Sequence, residues 1–307
     1  MFLKNRTMFV FAGIILVAVM LGIAVEQTRA QAPSYQKVDG WAKLPAGVEW
    51  GQVISVDPDP TGQFMWVLHR SEPPILKFDM SGNVVTSFGD GMFAWPHGFH
   101  VDDDGFVWAS DGQGRDGIGH QVFKFSPEGE VLMRLGTAGV AGVGPDTFDG
   151  PTDIAIADNG DIFVSDGHGN NRMVKFSKDG TFIKAWGTGG PGPGEFNLPH
   201  SIAIDSQGRL FVGDRMNGRI QIFDLDGRLL EEWTQFGMVS GIFITDDDTI
   251  YVTDYQQEEA ILIGSAKDGS IHTRIEDRNG EGIAIDAMGN IYHGEVAGRM
   301  LTKYAKQ

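Results

Sequence analysis

The chain contains no cysteine, so its 307 residues can form no disulfide and carry no lipoprotein attachment site. Positive charge is also scarce, because 24 lysines and arginines face 41 aspartates and glutamates, for a formal net charge of −17. Such a surface repels the phosphates of nucleic acids and of anionic membranes, which excludes both as partners. Without disulfides, stability has to come from packing and from any bound metal.

The N-terminus has the pattern of a targeting segment. Lys4 and Arg6 precede an unbroken run of apolar or small residues at positions 8–25, and Ala30-Gln31-Ala32 follows with small residues at cleavage-site spacing. The pattern predicts a secretory signal peptide over residues 1–32, with an uncleaved membrane anchor as the alternative, since 18 residues can just span a bilayer. We therefore expect an exported protein, periplasmic or secreted, that contacts a membrane only if this segment is retained.

The remainder of the chain, residues 33–307, is built from an internal repeat. Each copy has an alternating apolar run, a turn containing aspartate and usually glycine, and a second β-rich run that ends near an acidic residue. The copies cover residues 52–70, 97–111, 152–166, 200–214, 240–254 and 281–295. Two further strands follow most copies, for example at residues 173–187. Six four-stranded repeats predict an all-β protein, a six-bladed β-propeller in a single domain.

The sixth repeat ends early. Its third strand is predicted over residues 300–305, close to the last residue of the sequence, so no fourth strand can follow. Residues 35–41 have β character and no other assignment. We predict that they pair with the sixth blade as its outer strand and close the ring, which would remove an open sheet edge.

Propeller geometry brings the first residues of the innermost strands together at one mouth of the central channel. The alternation of the six repeats puts these residues at Gln52, His97, Thr152, His200, Ser240 and Glu281. Two imidazoles and a carboxylate, from blades 2, 4 and 6, would converge from directions about 120° apart. Such a set can hold zinc or another divalent metal and leave positions open for a substrate. The alternative is a set of polar residues that simply line a wet channel.

The ends of the second strands add charge to the same face. Arg70 ends this strand in blade 1 and Arg215 follows it in blade 4. The equivalent positions of the other blades hold acidic residues, Asp111, Asp166, Asp254 and Glu295. Arginines aimed at a metal favour recognition of a carboxylate, although each can equally balance neighbouring aspartates. His168, in the loop after the second strand of blade 3, is a candidate general base or additional ligand. Asp57, Asp102, Asp205 and Asp286 are predicted to stabilise turns on the opposite face.

Short strings of this sequence resemble two protein families, one broad and one narrower. The strings NNRMVKF and NGRIQIF resemble the signature of NHL repeats. The strings LHR, WPHGF, SDGHGNNR, LPHSIAID and GDRMNGRIQ resemble the lyase domain of the peptidyl-α-hydroxyglycine α-amidating lyases. That resemblance implies zinc binding by His97 and His200, substrate binding by Arg70 and Arg215, and cleavage of a carbinolamide to an amide and glyoxylate.

The sequence departs from that family at three positions. Glu281 replaces the third zinc-binding histidine, Gly282 replaces an acidic residue that helps to hold a structural calcium, and His168 replaces the tyrosine proposed as base. A structural calcium is therefore doubtful, and the substrate can differ. No copper monooxygenase domain accompanies the repeats.

Three functions remain open from the sequence. The first is a metal-dependent lyase acting on a small molecule or peptide. The second is a non-enzymatic NHL propeller that binds a protein or small ligand. The third is a lactonase or esterase of the gluconolactonase type, which the two histidines disfavour. A monomer is expected in each case.

Overall fold

All strands of the described chain belong to four-stranded antiparallel sheets. The computed structural model describes residues 33–277 and 280–307, so the predicted signal or anchor over residues 1–32 lies outside the described residues. Within the described ranges, no helix is long and apolar enough to cross a membrane. The strands are β1 (Tyr35–Val38), β2 (Val53–Pro58), β3 (Phe64–His69), β4 (Ile75–Asp79), β5 (Val84–Phe88), β6 (Pro96–Val101), β7 (Val107–Asp111), β8 (Gln121–Phe125), β9 (Val131–Leu135), β10 (Pro151–Ile156), β11 (Ile162–Asp166), β12 (Arg172–Phe176), β13 (Phe182–Trp186), β14 (Pro199–Ile204), β15 (Arg209–Asp214), β16 (Arg219–Asp224), β17 (Leu229–Trp233), β18 (Val239–Ile244), β19 (Thr249–Asp254), β20 (Ala260–Ser265), β21 (Ile271–Glu276), β22 (Gly280–Ile285), β23 (Ile291–Glu295) and β24 (Met300–Lys306), with one 3₁₀ helix at Arg215–Asn217.

The six sheets confirm the predicted six-bladed propeller. Five blades use four consecutive strands, in the order β2–β5, β6–β9, β10–β13, β14–β17 and β18–β21. The sixth sheet has the order β1-β24-β23-β22, so the N-terminal strand supplies the outer strand of the last blade, as predicted. The paired segment is shorter than expected. It runs from Tyr35 opposite Lys306 to Val38 opposite Lys303, and Trp41 lies beyond it.

Trp41 instead fastens the same segment to blade 1. Its indole Nε1 donates a hydrogen bond to the carbonyl of Met80 at 3.2 Å, and its ring lies 4.8 Å from that of Tyr292 in blade 6. The short N-terminal segment thus contacts both the last and the first blade. Ring closure therefore has a backbone component in β1 and a side-chain component in Trp41.

Apolar cores lie between neighbouring blades. Six clusters of buried residues each combine side chains from two adjacent blades, as Trp66 of blade 1 packs with Phe99 and Phe125 of blade 2. Burying one such side chain contributes about 1.5–3 kcal/mol. These clusters hold the ring together without disulfides, and they hold the innermost strands at fixed positions around the channel.

A register irregularity occurs at the start of every innermost strand. The pairing shifts at Val53/Ser55, Pro96/Phe99, Pro151/Asp153, Pro199/Ser201, Val239/Gly241 and Gly280/Ile283. A β-bulge leaves a residue unpaired and redirects its side chain. The unpaired residues at the same level of the ring are Ile54, His97, Thr152, His200, Ser240 and Glu281.

We predict that a chain beginning at residue 39 is less stable than one beginning at residue 33. It lacks β1, so β24 becomes an unpaired edge and Tyr35 no longer packs against blades 5 and 6. The melting temperature should fall by several degrees, because 1 kcal/mol corresponds to roughly 2–4 °C in a domain of this size. Thermal unfolding and light scattering measure the two effects. Equal melting temperatures and equal solubility would contradict the assigned role of β1.

Candidate functional site at the channel mouth

Three imidazoles meet at one mouth of the channel. The ligand nitrogens of His97, His168 and His200 all lie within 4.8 Å of one another. Nε2 of His97 is 2.9 Å from Nε2 of His168, and the rings of His97 and His200 are 4.8 Å apart. His97 and His200 are buried, whereas His168 keeps an exposed edge at the rim. This is a compact set of nitrogen donors in reach of solvent.

Backbone carbonyls of the next blades orient the two buried rings. Nδ1 of His97 lies 2.8 Å from the carbonyl oxygen of Thr152, and Nδ1 of His200 lies 2.8 Å from that of Ser240. Because a carbonyl only accepts, Nδ1 carries the proton in both rings and Nε2 keeps its lone pair. This tautomer, fixed by an outer hydrogen bond, is the one in which Nε2 can bind a metal. The donor set therefore fits a divalent cation such as zinc.

A glycine-rich loop delivers His168 to the cluster. Its backbone N–H donates to the carbonyl of Gly150 at 3.0 Å, and the N–H of Gly169 donates to the carbonyl of Asp149 at 2.8 Å. Gly150 has a φ of +82°, and a Cβ there would lie only 2.6 Å from Cβ of His168. Glycine at 150 is therefore required both by the backbone conformation and by the close approach of His168.

Hydrogen bonds of Asp166 and Arg172 hold the same loop in place. The carboxylate of Asp166 accepts from the side chain of Asn170 at 2.7 Å and from Nε of Arg172 at 2.9 Å. Arg172 also donates to the carbonyls of Val143 and Thr147 in the preceding blade connection. The long loop over residues 137–150 thus shapes the site by supporting the loop that carries His168.

Glu281 and Arg215 form a buried ion pair beside His200. Oε1 of Glu281 lies 3.1 Å from Nε2 of His200 and 3.4 Å from Nη1 of Arg215. Nη1 of Arg215 is also 2.6 Å from Nε2 of His200, and its guanidinium stacks 3.8 Å above the ring of Tyr255. The described residues provide no hydrogen-bond partner for Nε of Arg215 or for the hydroxyl of Ser240, although both are buried.

Arg70 approaches from the opposite blade. Its guanidinium stacks 3.7 Å above Trp95, donates to the carbonyl of Pro96 at 3.1 Å and donates to Oε1 of Gln52 at 2.7 Å. Trp95 in turn lies 5.0 Å from the ring of His97 and 4.9 Å from that of His168. Two guanidinium groups and one carboxylate leave the mouth cationic in a chain whose net charge is −17. An anionic ligand is therefore attracted to this end of the channel.

Burial and the neighbouring cations keep the imidazoles neutral. Burial, with the charges of His200 and Arg215, lowers the pKa of His168 to about 3. Burial also lowers the pKa of His97 well below its ordinary value and lowers that of His200. Burial alone would raise the pKa of Glu281, but the guanidinium groups of Arg215 and Arg70 counteract burial and lower that pKa. At neutral pH the site has neutral nitrogen donors and an ionised carboxylate.

The observed register corrects the sequence alignment of blade 1. Val53 pairs with His69 as Pro151 pairs with Asp166, so Ile54, and not Gln52, is the ring residue of this blade. Consequently Arg70 and Arg215 occupy the same position, one residue beyond β3 and β15, in opposite blades. The misalignment arose because repeat 1 has two aspartates two residues apart, Asp57 and Asp59, and it is Asp59 that corresponds to the turn residue Asp102 of blade 2.

The acidic residues assigned to the position of Arg70 have a structural role. They precede the arginine position by one residue. Three of them accept backbone N–H groups from the loop that enters the blade: Asp111 from Trp95, Asp166 from Asp149 and Asp254 from Met238. Glu295 instead accepts from the hydroxyl of Thr302 at 2.6 Å. His69 takes this place in blade 1 and accepts from Gly51 at 3.2 Å. These groups hold the rim in place and do not point toward a ligand.

Two aromatic residues of the site were missed from the sequence. Trp95 and Tyr255 each form the flat surface on which an arginine lies. Tyr255 follows Asp254 as Arg215 follows Asp214, and Trp95 stands two residues before His97. Their spacing was a usable signal, but stacking depends on side-chain direction, which the repeat pattern does not give.

The predicted turn aspartates divide into two groups. Asp102, Asp205 and Asp286 accept backbone N–H groups of their own turns, as expected. Asp57 does not, because the shifted register gives this role to Asp59. Asp57 instead lies in the channel, where it accepts the backbone N–H of Val101 and pairs with Nδ1 of His100 at 3.0 Å.

Gly282 stands where the resemblance to the amidating lyases implies a calcium ligand, and the structure has no room for a side chain there. A Cβ at Gly282 would lie 2.5 Å from Cα of Ser55 in blade 1. A carboxylate at this point would displace the neighbouring innermost strand. The innermost strands of blades 6 and 1 are therefore too close together at residue 282 for any side chain larger than that of glycine.

These features define a six-bladed β-propeller with a cluster of imidazoles at its channel mouth, flanked by two arginines. A family model described as a 6-bladed beta-propeller matches residues 146–239. NHL repeat-containing protein 3 of Homo sapiens is 33% identical over 257 residues, which cover 79% of this chain and 73% of that protein. The chain belongs to the NHL-repeat family.

Two further similarities bear on function. Peptidyl-alpha-hydroxyglycine alpha-amidating lyase 1 of Drosophila melanogaster is 41% identical over 110 residues, or 35% of this chain, and the match spans 19% of that relative's length. A gluconolactonase from Xanthomonas campestris superposes with a TM-score of 0.65 at 12% identity, covering 84% of this chain and 87% of its own. The second similarity shows the fold alone.

We predict that Asp153→Asn changes how stability depends on pH. Burial raises the pKa of Asp153 to about 7, so the folded protein binds a proton that the unfolded chain releases near pH 4. Wild-type stability is therefore lost as pH rises from about 4 to 7. Asparagine keeps the acceptor for Ser201 and Ile202 without the charge.

The expected difference at pH 7 is about 2 kcal/mol in favour of the variant. Three pH units correspond to roughly 4 kcal/mol, and contact of Asp153 with the wet channel reduces this. Denaturant unfolding between pH 4 and 8 measures the difference, with the exposed Asp158→Asn as control. A difference that does not change with pH would refute the buried-acid explanation.

Proposed function

We propose that this protein is an exported, metal-dependent lyase that cleaves the N–C bond of an N-acyl-α-hydroxyglycine, giving an amide and glyoxylate. The observation that carries the proposal is the imidazole cluster with two arginines one residue beyond the second strands of opposite blades. The 41% identity to an α-amidating lyase supports the reaction class. A metal that acidifies the hydroxyl and a cation that binds the carboxylate are what this chemistry needs.

The fit of the residues to a metal rests on their tautomers. His97 and His200 each direct an unprotonated Nε2 into the cluster, because their Nδ1 atoms donate to carbonyls. These two rings would hold a zinc ion or another divalent cation together with a third group at the mouth. When bound, such an ion supplies Lewis acidity that makes a substrate hydroxyl easier to deprotonate.

The arginines provide the complementary half of the site. The carboxylate of an α-hydroxyglycine carries a charge that a guanidinium binds through charge-assisted hydrogen bonds. Stacking on Trp95 holds the Arg70 plane, and Nε of Arg215 has no partner among the described residues. Binding a carboxylate here would fix the reacting carbon beside the imidazoles. As the N–C bond breaks, the hydroxyl proton would be transferred to the amide nitrogen, which gives glyoxylate and the neutral amide.

The non-enzymatic alternative has its own supporting observation, since the 33% identity to NHL repeat-containing protein 3 extends over 79% of this chain, compared with 35% for the amidating lyase. In that case the cationic mouth binds an anionic ligand without converting it. The gluconolactonase reading has only the shared fold in its support. Turnover of an α-hydroxyglycine separates the first two functions.

We expect the purified protein to bind one equivalent of zinc and to release glyoxylate from an N-acyl-α-hydroxyglycine. The double substitution His97→Ala with His200→Ala should remove the bound zinc and all turnover, because both inner ligands are lost. His272→Ala, on the exposed outer strand β21, is the control and should change neither quantity. A wild-type protein without stoichiometric metal, whose stability the double substitution leaves unchanged, would rule the proposal out.

We expect Arg70→Gln to raise the KM for the same substrate about 10- to 100-fold, since a hydrogen bond to a charged group contributes about 1.5–3 kcal/mol. The corresponding carboxamide, which has no charge, should lose far less. Arg134→Gln, an arginine on the outer strand of blade 2, serves as control. Equal losses for acid and carboxamide would show that Arg70 acts on the fold and not on a carboxylate.

A further inference from the structure

The third group of the metal site is the point at which sequence position and geometry disagree. Position in the ring favours Glu281, which follows His97 and His200 at the start of an innermost strand in an alternate blade. Geometry favours His168, because its nitrogen and those of the two buried histidines form one cluster within 4.8 Å. The carboxylate of Glu281 is not a member of that cluster.

Hydrogen bonds of its loop and a ring contact hold His168 at the channel mouth. Its loop is fixed by the carbonyls of Gly150 and Asp149, and by the contacts of Asp166 with Asn170 and Arg172 described above. Its ring stands edge-on to Trp95, at 4.9 Å. The fold therefore brings Nε2 of His168 to 2.9 Å from Nε2 of His97.

Oε1 of Glu281 lies 3.1 Å from Nε2 of His200 and 3.4 Å from Nη1 of Arg215, and of these two neighbours only Arg215 carries a charge. The carboxylate of Glu281 pairs with Arg215, whose side chain is only 9% exposed, and in the described part of the chain no other carboxylate forms a salt bridge with that guanidinium. Moving Glu281 onto a metal would leave a buried arginine without its counter-charge, which is strongly unfavourable. If Glu281 stays paired with Arg215, the buried guanidinium keeps its counter-charge.

We infer that His168 is the third metal ligand and that Glu281 is a positioning residue that holds Arg215. The site would then contain three imidazoles from blades 2, 3 and 4, a donor set that catalytic zinc sites use. The blade 6 side would remain open next to Arg215 and the unpartnered hydroxyl of Ser240. This inference rests on the proposed function for the presence of a metal.

Zinc competition with a chromophoric chelator tests the inference on the full-length protein. His168→Gln should weaken zinc binding by 100-fold or more, whereas Glu281→Gln should keep one equivalent with an affinity within about fivefold of wild type. Glu281→Gln should instead raise the KM of the α-hydroxyglycine substrate, because Arg215 is no longer held. His272→Gln and the exposed Glu276→Gln are matched controls, and circular dichroism checks the fold.

The absence of cysteine provides a second measurement that does not depend on activity. In the cobalt-loaded protein, His168→Cys should give a near-ultraviolet thiolate-to-cobalt charge-transfer band, and Glu281→Cys should give none. No other thiol in the chain can produce this band.

The outcomes separate the two proposals. A wild-type protein that binds no metal removes the proposed function itself. A wild-type protein that binds zinc, with affinity retained in His168→Gln or lost in Glu281→Gln, leaves that function standing and overturns this assignment. A charge-transfer band in Glu281→Cys would overturn it as well.

Discussion

The bulge at the start of each innermost strand is the constraint on which the site depends. In a regular ladder, His97, His200 and Glu281 would pair within their own blades. The bulge takes each of them out of its ladder, and the inter-blade cores fix the distances between neighbouring strands. A carbonyl from the following blade then orients each imidazole, so the tautomer at the channel mouth is set by the packing of one blade against the next.

The same constraint explains why the site is asymmetric although the fold is repetitive. Six equivalent bulges offer six positions, and the chain fills them with three ligand-type residues and three others. The residue after each second strand repeats in the same way, and it is arginine in blades 1 and 4 and tyrosine in blade 5. Function in this molecule consists of differences between equivalent positions on a scaffold whose repeats fix the geometry.

The propeller, its blade number and its closing strand were predictable because alternation and glycine turns repeat six times and the last copy lacks a strand. The gathering of His97, His200 and Glu281 at one mouth followed from the same periodicity. The alignment of blade 1 failed because Asp57 was matched to the turn aspartates in place of Asp59, which put Gln52 where Ile54 lies. The proximity of His168 to the histidines and the stacking of Trp95 and Tyr255 depend on loop path and side-chain direction, which periodicity does not determine.

The central claim is that the three imidazoles bind a divalent metal, while the carboxylate of Glu281 stays in an ion pair with Arg215. Diffraction from zinc-soaked crystals, measured at the zinc absorption edge, tests it most directly. The account predicts one anomalous peak at about 2.0–2.1 Å from Nε2 of His97, His168 and His200. A peak coordinated by Glu281 in place of His168, or no peak at the channel mouth, would contradict it.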